Sequence, residues 1–435
     1  MMGASMAAPA APVPESATPL PTRVPFAAAW MALPIFGVAL GQRFVLPGAS
    51  IADVALGVFA TAAVAHLARE GWAAGRQAIP PWRKWLLGLW AWAAVGGFFH
   101  IVSGTEPFSP VEFAKSLAKL SFYAVCAVLL TWALRALPRG QAARLVLTAF
   151  AAAGGVAIVL YVAMLCGVPL PFQLLWGHGP NAAYFSDLWW FGGAHEARHV
   201  FLRAQGLASE PSRLGYLQCM ALAYLLLRPG ARARFGLRLA LILISLLLTF
   251  SLTAYALLLP IAALAVFTHW SSARAQPRRR ALILAALLLA VLVPLAPTIH
   301  KTIVVRAVRS LTGSGDASSF LRVQGNWKMT YYLLETSPVL GVGLGNFDVV
   351  AWDLRAFLFD GYLIERDTQG WNVFAYVLAT LGVPGLLLLL GLLLSAFRGR
   401  GRLALPFVLG MFADGTFLGA AYWLFFALYT AGDAS

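Results

Sequence analysis

The feature that most constrains the fold of this chain is a succession of long apolar runs separated by short basic loops. The runs occupy residues 26–40, 50–67, 85–102, 111–134, 145–167, 207–227, 237–250, 254–267, 281–295, 371–397 and 403–430. Each of the first five is long enough to cross ~30 Å of hydrocarbon as a tilted helix. The last run is broken at Asp414-Gly415, which predicts two short helices in its place. The sequence therefore predicts an all-α, polytopic integral membrane protein with about 11–12 transmembrane helices.

Composition excludes the soluble globular class. Hydrophobic residues make up 60% of the 435 residues, charged residues only 11%, and the mean hydropathy is +0.76. Residues 1–25 are rich in Ala, Pro and Ser and lack a charged region followed by an apolar core. This segment predicts a disordered cytoplasmic tail and not a cleaved signal peptide.

The chain has a net charge of +15, and the distribution of its positive residues indicates the membrane topology. Eighteen of the Lys and Arg residues, with the single acid Glu70, fall in five short loops at 69–84, 135–144, 228–238, 274–280 and 398–402. Short loops rich in Lys and Arg stay on the cytoplasmic side of a membrane. Since the surplus of positive charge lies in these loops, we expect no nucleic-acid partner.

This orientation places two long polar segments on the opposite face. Residues 238–274 begin and end on the cytoplasmic side, so they must form two short helices that turn at 251–253. Segments 168–206 and 298–370 then lie as two large loops on the outer face, the periplasm of a bacterial inner membrane. Helical regions 26–167, 207–297 and 371–430 complete the predicted organisation.

The first loop ends in a candidate anion site. Arg203 and Arg213 flank the start of the next helix, where Ser209 is a candidate N-cap and Pro211 a first-turn residue. A helix start beside two guanidinium groups favours phosphate, although interfacial Arg residues equally often extend toward lipid headgroups. Glu210 would stay ionised beside these Arg residues, either as a proton acceptor or as part of a structural ion pair.

The second loop carries another candidate. Arg322 follows a run of Gly, Ser and Asp residues and begins a helical pattern that continues through Trp327, which again suits an anion. The Gly341-x-Gly-x-Gly run does not follow a strand, so it is a poor dinucleotide motif. A tight turn or a close approach of the backbone after Pro338 is the better interpretation.

The order of these features resembles a known superfamily. Arg322, Trp327, the run 338–347 (Pro-Val-Leu-Gly-Val-Gly-Leu-Gly-Asn-Phe) and a helix containing 381–385 (Leu-Gly-Val-Pro-Gly) are similar to the O-antigen ligases and Wzy-type polysaccharide polymerases. The hairpin 247–255 is similar to the segment that opens the domain these proteins share. The resemblance implies a membrane-embedded glycosyltransferase of the GT-C type. Its donor would be a glycan linked to undecaprenyl pyrophosphate and held by Arg residues, with no cofactor and no metal.

Within this superfamily the residues favour a polymerase. Ligases usually carry a His-Asn pattern before the helix that follows the second loop, whereas 367–372 reads Asp-Thr-Gln-Gly-Trp-Asn. Ligases also tend to have Arg where Leu252 stands, and Glu210-Pro-Ser and Tyr422-Trp423 look more like polymerases. The alternative is a ligase that transfers the glycan to lipid A core. A lipid-linked oligosaccharide transporter is more distant, because matched broken helices in two halves are not evident.

These considerations name the candidate site. The candidate catalytic residues are Glu210, Arg322 and Asp367, and the candidate substrate-binding residues are Arg203, Arg213, Arg198, His195, Trp327, Asn346 and Gln369. The expected partners are undecaprenyl-pyrophosphate-linked glycans, as both donor and acceptor, and the lipid membrane. A chain-length regulator is a further candidate partner.

Overall fold

A computed structural model describes most of the apolar part of the chain. The described residues are 24–40, 44–46, 49–70, 80–105, 107–138, 140–166, 168, 204, 206–208, 210–228, 236–249, 251–270, 326–358, 372–413 and 417–431. Within them the chain forms thirteen helices and one two-stranded antiparallel ribbon. The helices are α1 (Val24–Leu40), α2 (Ile51–Glu70), α3 (Arg83–Ser103), α4 (Pro110–Ala136), α5 (Gln141–Leu165), α6 (Pro211–Leu227), α7 (Leu237–Leu247), α8 (Leu252–Trp270), α9 (Asn326–Thr336), α10 (Phe347–Leu358), α11 (Val373–Ala396), α12 (Gly401–Ala413) and α13 (Ala420–Thr430), and the strands are β1 (Phe44–Leu46) and β2 (Ala49–Ser50).

The predicted all-α membrane fold is confirmed. The first five apolar runs form α1 to α5, and among the described helices α2, α3, α4, α5 and α11 are long and apolar enough to cross a membrane. The ribbon between α1 and α2, in which Phe44 pairs with Ser50, is a short addition that periodicity did not predict. The run 281–295 lies outside the described residues.

Both predicted helix breaks are present. Helices α7 and α8 are joined by a short turn, across which the Tyr255 hydroxyl donates to the Leu247 carbonyl at 2.5 Å, and each packs against α6. Helix α12 ends at Ala413 and α13 begins at Ala420, on either side of the predicted interruption. The Arg400 guanidinium donates to the Thr430 carbonyl, so the start of α12 and the end of α13 lie at the same, basic end of the bundle.

Helix α13 lies at the centre of the bundle. All its residues from Ala420 to Thr430 are buried, and it packs against α1, α2, α4, α6 and α12. Aromatic rings supply much of this packing: Phe407 lies 5.3 Å from Tyr422 and 5.9 Å from Phe426, measured between ring centroids. Aromatic pairs at these separations add to the free energy gained by burying their area.

The outer helices keep apolar side chains on their exposed surfaces. Helix α3, which packs against α4 and α11, leaves Leu87, Val95 and Phe98 exposed on its other side. A contiguous apolar surface of this kind would be unstable in water and is suited to contact with lipid.

Candidate active site

The start of α6 carries two of the predicted residues. Glu210 is the N-cap, with extended φ and ψ of −145° and 153°, and Pro211 is the first helical residue, as predicted. The prediction that Ser209 is the N-cap is wrong. Proline disfavours helical torsion angles in the residue before it, so Glu210 must be extended and takes the cap position itself. The Glu210 carboxylate accepts a hydrogen bond from Ser212 Oγ at 2.9 Å.

Arg213, one turn further along α6, interacts electrostatically with a polar cluster that Asp53 of α2 and Tyr123 of α4 form. Its charge lies within electrostatic reach of Tyr123. The Tyr123 hydroxyl donates to Asp53 Oδ1 at 2.5 Å, and Asp53 Oδ2 accepts from the backbone N–H and the hydroxyl of Ser50 at 2.7 and 2.8 Å. These hydrogen bonds engage both oxygens of the Asp53 carboxylate and fix its orientation.

The depth of this cluster follows from the rise of an α-helix, about 1.5 Å per residue. Counted from the basic ends of their helices, Arg213 lies about 21 Å, Tyr123 about 20 Å and Asp53 about 26 Å into the bundle. The hydrocarbon layer is ~30 Å thick, so charged groups at this depth are costly unless they serve a function. By that cost the cluster is a candidate functional site.

Helix α11 is interrupted at about the depth of this cluster in the bundle. Gly382 has φ of 66° and ψ of −169°, which breaks the helix two residues before Pro384. The segment 338–343 fills the break: Val342 and Gly343 donate backbone N–H groups to the carbonyls of Ala379 and Thr380 at 3.0 Å. In return Val383 donates to the Pro338 carbonyl at 2.9 Å. Polar backbone groups that the break would leave unpaired are thereby satisfied inside the bundle.

Two side chains of α3 complete the junction. Trp92 Nε1 donates to the Leu381 carbonyl at 2.8 Å, and His100 Nε2 donates to the Gly341 carbonyl at 2.9 Å. His100 is buried and stacks on Phe108, with ring centroids 5.2 Å apart. The glycine run after Pro338 is thus a close-packed backbone element, as the sequence predicts.

Asn346 has a structural contact in this arrangement. Its side chain is fully buried, and Oδ1 accepts the backbone N–H of Ser109, the N-cap of α4, at 2.6 Å. The Asn346 amide nitrogen is buried with no hydrogen-bond partner among the described residues. The contact joins the end of the glycine run to the start of α4, and the predicted role of Asn346 in substrate binding stays a prediction.

Trp327 lies on α9, which packs against α11. The two helices are joined by Thr330, whose hydroxyl donates to the Ala375 carbonyl at 3.2 Å. Trp327 is 42% exposed. An accessible indole suits stacking on a sugar ring.

The remaining candidates lie outside the described residues: Arg198, His195, Arg203, Arg322, Asp367 and Gln369. The residue after Arg203, Ala204, is described, and its N–H donates to the Leu248 carbonyl at 2.8 Å. This bond ties the chain before α6 to the α7–α8 turn.

Sequence reasoning did not identify Asp53 and Tyr123. The available signal was an acid three residues after Ser50, at the start of an otherwise apolar run. An acid inside a span is a candidate functional group by its cost alone. Tyr123 carried no such signal, because it is 70 residues away in the chain and resembles any other interfacial aromatic residue.

Part of the chain matches a known protein family. Residues 237–390 match the family model described as O-antigen ligase. This third of the chain runs from α7 to the last turns of α11 and includes the glycine run and the break in α11. The cluster of Asp53, Tyr123 and Arg213 lies before it in the sequence. None of the curated proteins compared with the chain matches it.

Proposed function

We propose that this multi-pass membrane protein, whose residues 237–390 match the family model described as O-antigen ligase, polymerises lipid-linked oligosaccharide repeat units. The donor and the acceptor are glycans on undecaprenyl pyrophosphate, and the transfer takes place at the periplasmic face of the inner membrane. Ligase-type or polymerase-type glycosyl transfer is the activity that the family match supports. The position of Arg213 is the observation that supports the more specific proposal.

Arg213 lies at the depth that a membrane-bound donor reaches. A polyprenyl tail stays in the hydrocarbon layer, so its pyrophosphate lies near the edge of that layer. The backbone of Arg213, about 21 Å along α6 from its basic end, lies in the same region. Bidentate hydrogen bonds from arginine match the geometry of phosphate oxygens. Arg203 and Arg322 are the proposed second and third members of this clamp.

The reaction is a displacement at the anomeric carbon of the donor. The bond from this carbon to the pyrophosphate oxygen breaks, a bond to the acceptor hydroxyl oxygen forms on the opposite face, and the configuration is inverted. Negative charge that builds on the pyrophosphate is stabilised by the arginine groups, and no metal takes part in the proposed step. The acceptor proton passes to a carboxylate, for which Glu210 and Asp367 are the candidates.

The choice of Glu210 rests on its position. It is half-buried at the start of the helix that carries Arg213, and Ser212 orients its carboxylate. Asp53 is a weaker candidate for the base, because its oxygens already accept three hydrogen bonds. We assign Asp53 and Tyr123 to positioning Arg213.

One contact near α11 supports the polymerase over the ligase. Asn372 caps α11 by accepting the N–H groups of Phe374 and Ala375 at 3.0 and 3.2 Å, and its side chain is buried. In this chain the asparagine of the ligase-type His-Asn pattern is therefore a helix cap, and Trp371 stands where the histidine would be. The match to a family described as O-antigen ligase favours the second candidate, transfer of a completed glycan to lipid A core.

The test uses the purified full-length chain in vesicles with a labelled undecaprenyl-pyrophosphate-linked repeat unit. A ladder of longer lipid-linked glycans is expected without any added acceptor. Label that moves only onto added lipid A core would identify a ligase, and transbilayer movement with no new linkage would identify a transporter.

Variants assign the roles in the same assay. Arg213→Ala is expected to lower the rate roughly 10²- to 10³-fold, as loss of a charge-stabilising donor does. Glu210→Gln is expected to lower it roughly 10²-fold. Arg402→Ala and Glu112→Gln are the controls: Arg402 is exposed, and Glu112 is partly exposed in the first turn of α4, where its carboxylate pairs with Lys115. A rate for Arg213→Ala equal to that of Arg402→Ala would exclude the clamp.

A further inference from the structure

A groove lies at the basic end of the bundle, away from the candidate active site. It runs between the start of α3 and the end of α11 and has a volume of about 1060 Å³. This volume is at the upper end of the range for small-molecule sites, roughly 300–1,000 Å³. Neither the proposed transfer reaction nor the family match assigns this groove a role.

The rim of the groove is cationic. Arg83 and Lys84 in the first turn of α3 and Arg398 just after α11 line it, and all three side chains are exposed. No carboxylate is among the described residues that line the groove, and none of the three cations is paired with another described residue. Three unpaired cations around one opening attract an anion strongly.

The floor of the groove is apolar. Leu387, Leu390 and Leu394, one helical turn or so apart on α11, form a continuous exposed stripe. Gly391 lets the Trp85 ring lie directly against α11, because a Cβ at this position would come 2.5 Å from Trp85 Cζ3. The floor is therefore a smooth trough, and it belongs to the part of α11 that crosses the hydrocarbon layer.

We propose that this groove binds an anionic glycerophospholipid of the cytoplasmic leaflet. The headgroup phosphate lies among Arg83, Lys84 and Arg398, and one acyl chain lies along the leucine stripe. Basic pockets between transmembrane helices on the cytoplasmic side suit anionic headgroups. A soluble anion would use the rim but not the trough, and a soluble protein partner could not reach a trough that faces lipid. The combination of rim and trough fits an amphiphile.

The test measures lipid binding by the full-length protein, purified in detergent, with native mass spectrometry. Phosphatidylglycerol and phosphatidylcholine are titrated separately. The wild type is expected to bind phosphatidylglycerol in preference. The variant Arg83→Gln/Lys84→Gln/Arg398→Gln is expected to lose affinity by about fivefold per cation, on the order of 100-fold in total.

A second triple variant controls for net charge. Arg69→Gln/Arg144→Gln/Arg402→Gln removes the same charge from exposed positions at the same end of the bundle but outside the groove. It is expected to keep its affinity to within about fivefold, the contribution of a single cation. Equal losses in the two triple variants would overturn the proposal, because they would show a general effect of charge.

A third variant and a third ligand test the trough. Leu390→Trp fills the floor without changing charge and is expected to weaken phosphatidylglycerol binding. Unchanged binding in this variant would contradict the placement of the acyl chain. Equal binding of phosphatidylcholine, or full displacement of the lipid by inorganic phosphate, would also overturn the proposal.

Discussion

The substitution Gly341→Ala tests the junction between the glycine run and the break in α11. Gly341 has φ of 65°, a left-handed conformation that alanine adopts only with strain. A Cβ at this position would lie 2.5 Å from the carbonyl carbon of Thr380, 2.6 Å from the oxygen of Ala379 and 2.7 Å from the nitrogen of Leu381. All three are backbone atoms of α11, so no side-chain rotation can relieve the contact.

The expected cost is the sum of two effects. The left-handed conformation costs an L-residue roughly 1–2 kcal/mol, and overpacking a tight interior costs roughly 1–3 kcal/mol more. The expected destabilisation is therefore about 2–5 kcal/mol, before any loss of the hydrogen bond from His100 to the Gly341 carbonyl. Gly104→Ala isolates the first effect, because Gly104 has φ of 63° and no atom lies within 4 Å of its Cβ position.

The assay is thermal unfolding of the two variants and the wild type in the same detergent, with retained transfer activity measured in parallel. Gly104→Ala is expected to unfold slightly below the wild type, and Gly341→Ala several degrees lower still. If the two variants unfolded at the same temperature, the close packing of segment 338–343 into the broken helix would be refuted.

Three further substitutions test neighbouring contacts. Trp92→Phe removes the donor to the Leu381 carbonyl and is expected to cost about 1–3 kcal/mol of stability in the same melting assay, whereas Trp90→Phe, whose Nε1 bonds Ser121 at an exposed site, is expected to cost less than about 1 kcal/mol. Asn346→Ala leaves the Ser109 N–H without its acceptor and is expected to lower stability by about 1–2 kcal/mol. Asn346→Asp is the control, because it keeps the acceptor oxygen. A normal melting temperature for Asn346→Ala, together with lost binding of the lipid-linked glycan donor, would instead support the predicted role in substrate binding. Tyr123→Phe frees Asp53 Oδ1 to compete for the Arg213 guanidinium. The KM for the lipid-linked donor is therefore expected to rise roughly tenfold, with kcat less affected. An unchanged KM would show that Asp53 and Tyr123 take no part in donor binding.

The spans were predictable from the sequence because run length is a local property. The α7–α8 hairpin followed from charge placement alone, since two basic ends require an even number of crossings. The interruption between α12 and α13 followed from Asp414-Gly415, which is costly inside an apolar span. In each case the deciding information lies within one segment of the chain.

The pairing of distant segments was not predictable in the same way. The sequence contains both the glycine run after Pro338 and the Gly382-x-Pro384 signal, but periodicity cannot show that one fills the other. The same holds for Asp53 and Tyr123, whose contact depends on how α2 lies against α4. Even the cap of α6 depended on one residue: proline at position 211 moves the cap from Ser209 to Glu210.

The central position of α13 bears on how the protein is made. This helix leaves the ribosome after α1, α2, α4, α6 and α12, the helices that surround it. Those helices must enter the membrane and associate while the space for α13 is still occupied by lipid or by one another. The bundle therefore closes only after its other helices have been inserted, when the eleven buried residues of α13 displace the lipid or the helix contacts that occupied their space. A chain that stalls before Ala420 would present an open bundle to the membrane proteases, which gives quality control a simple structural signal to recognise.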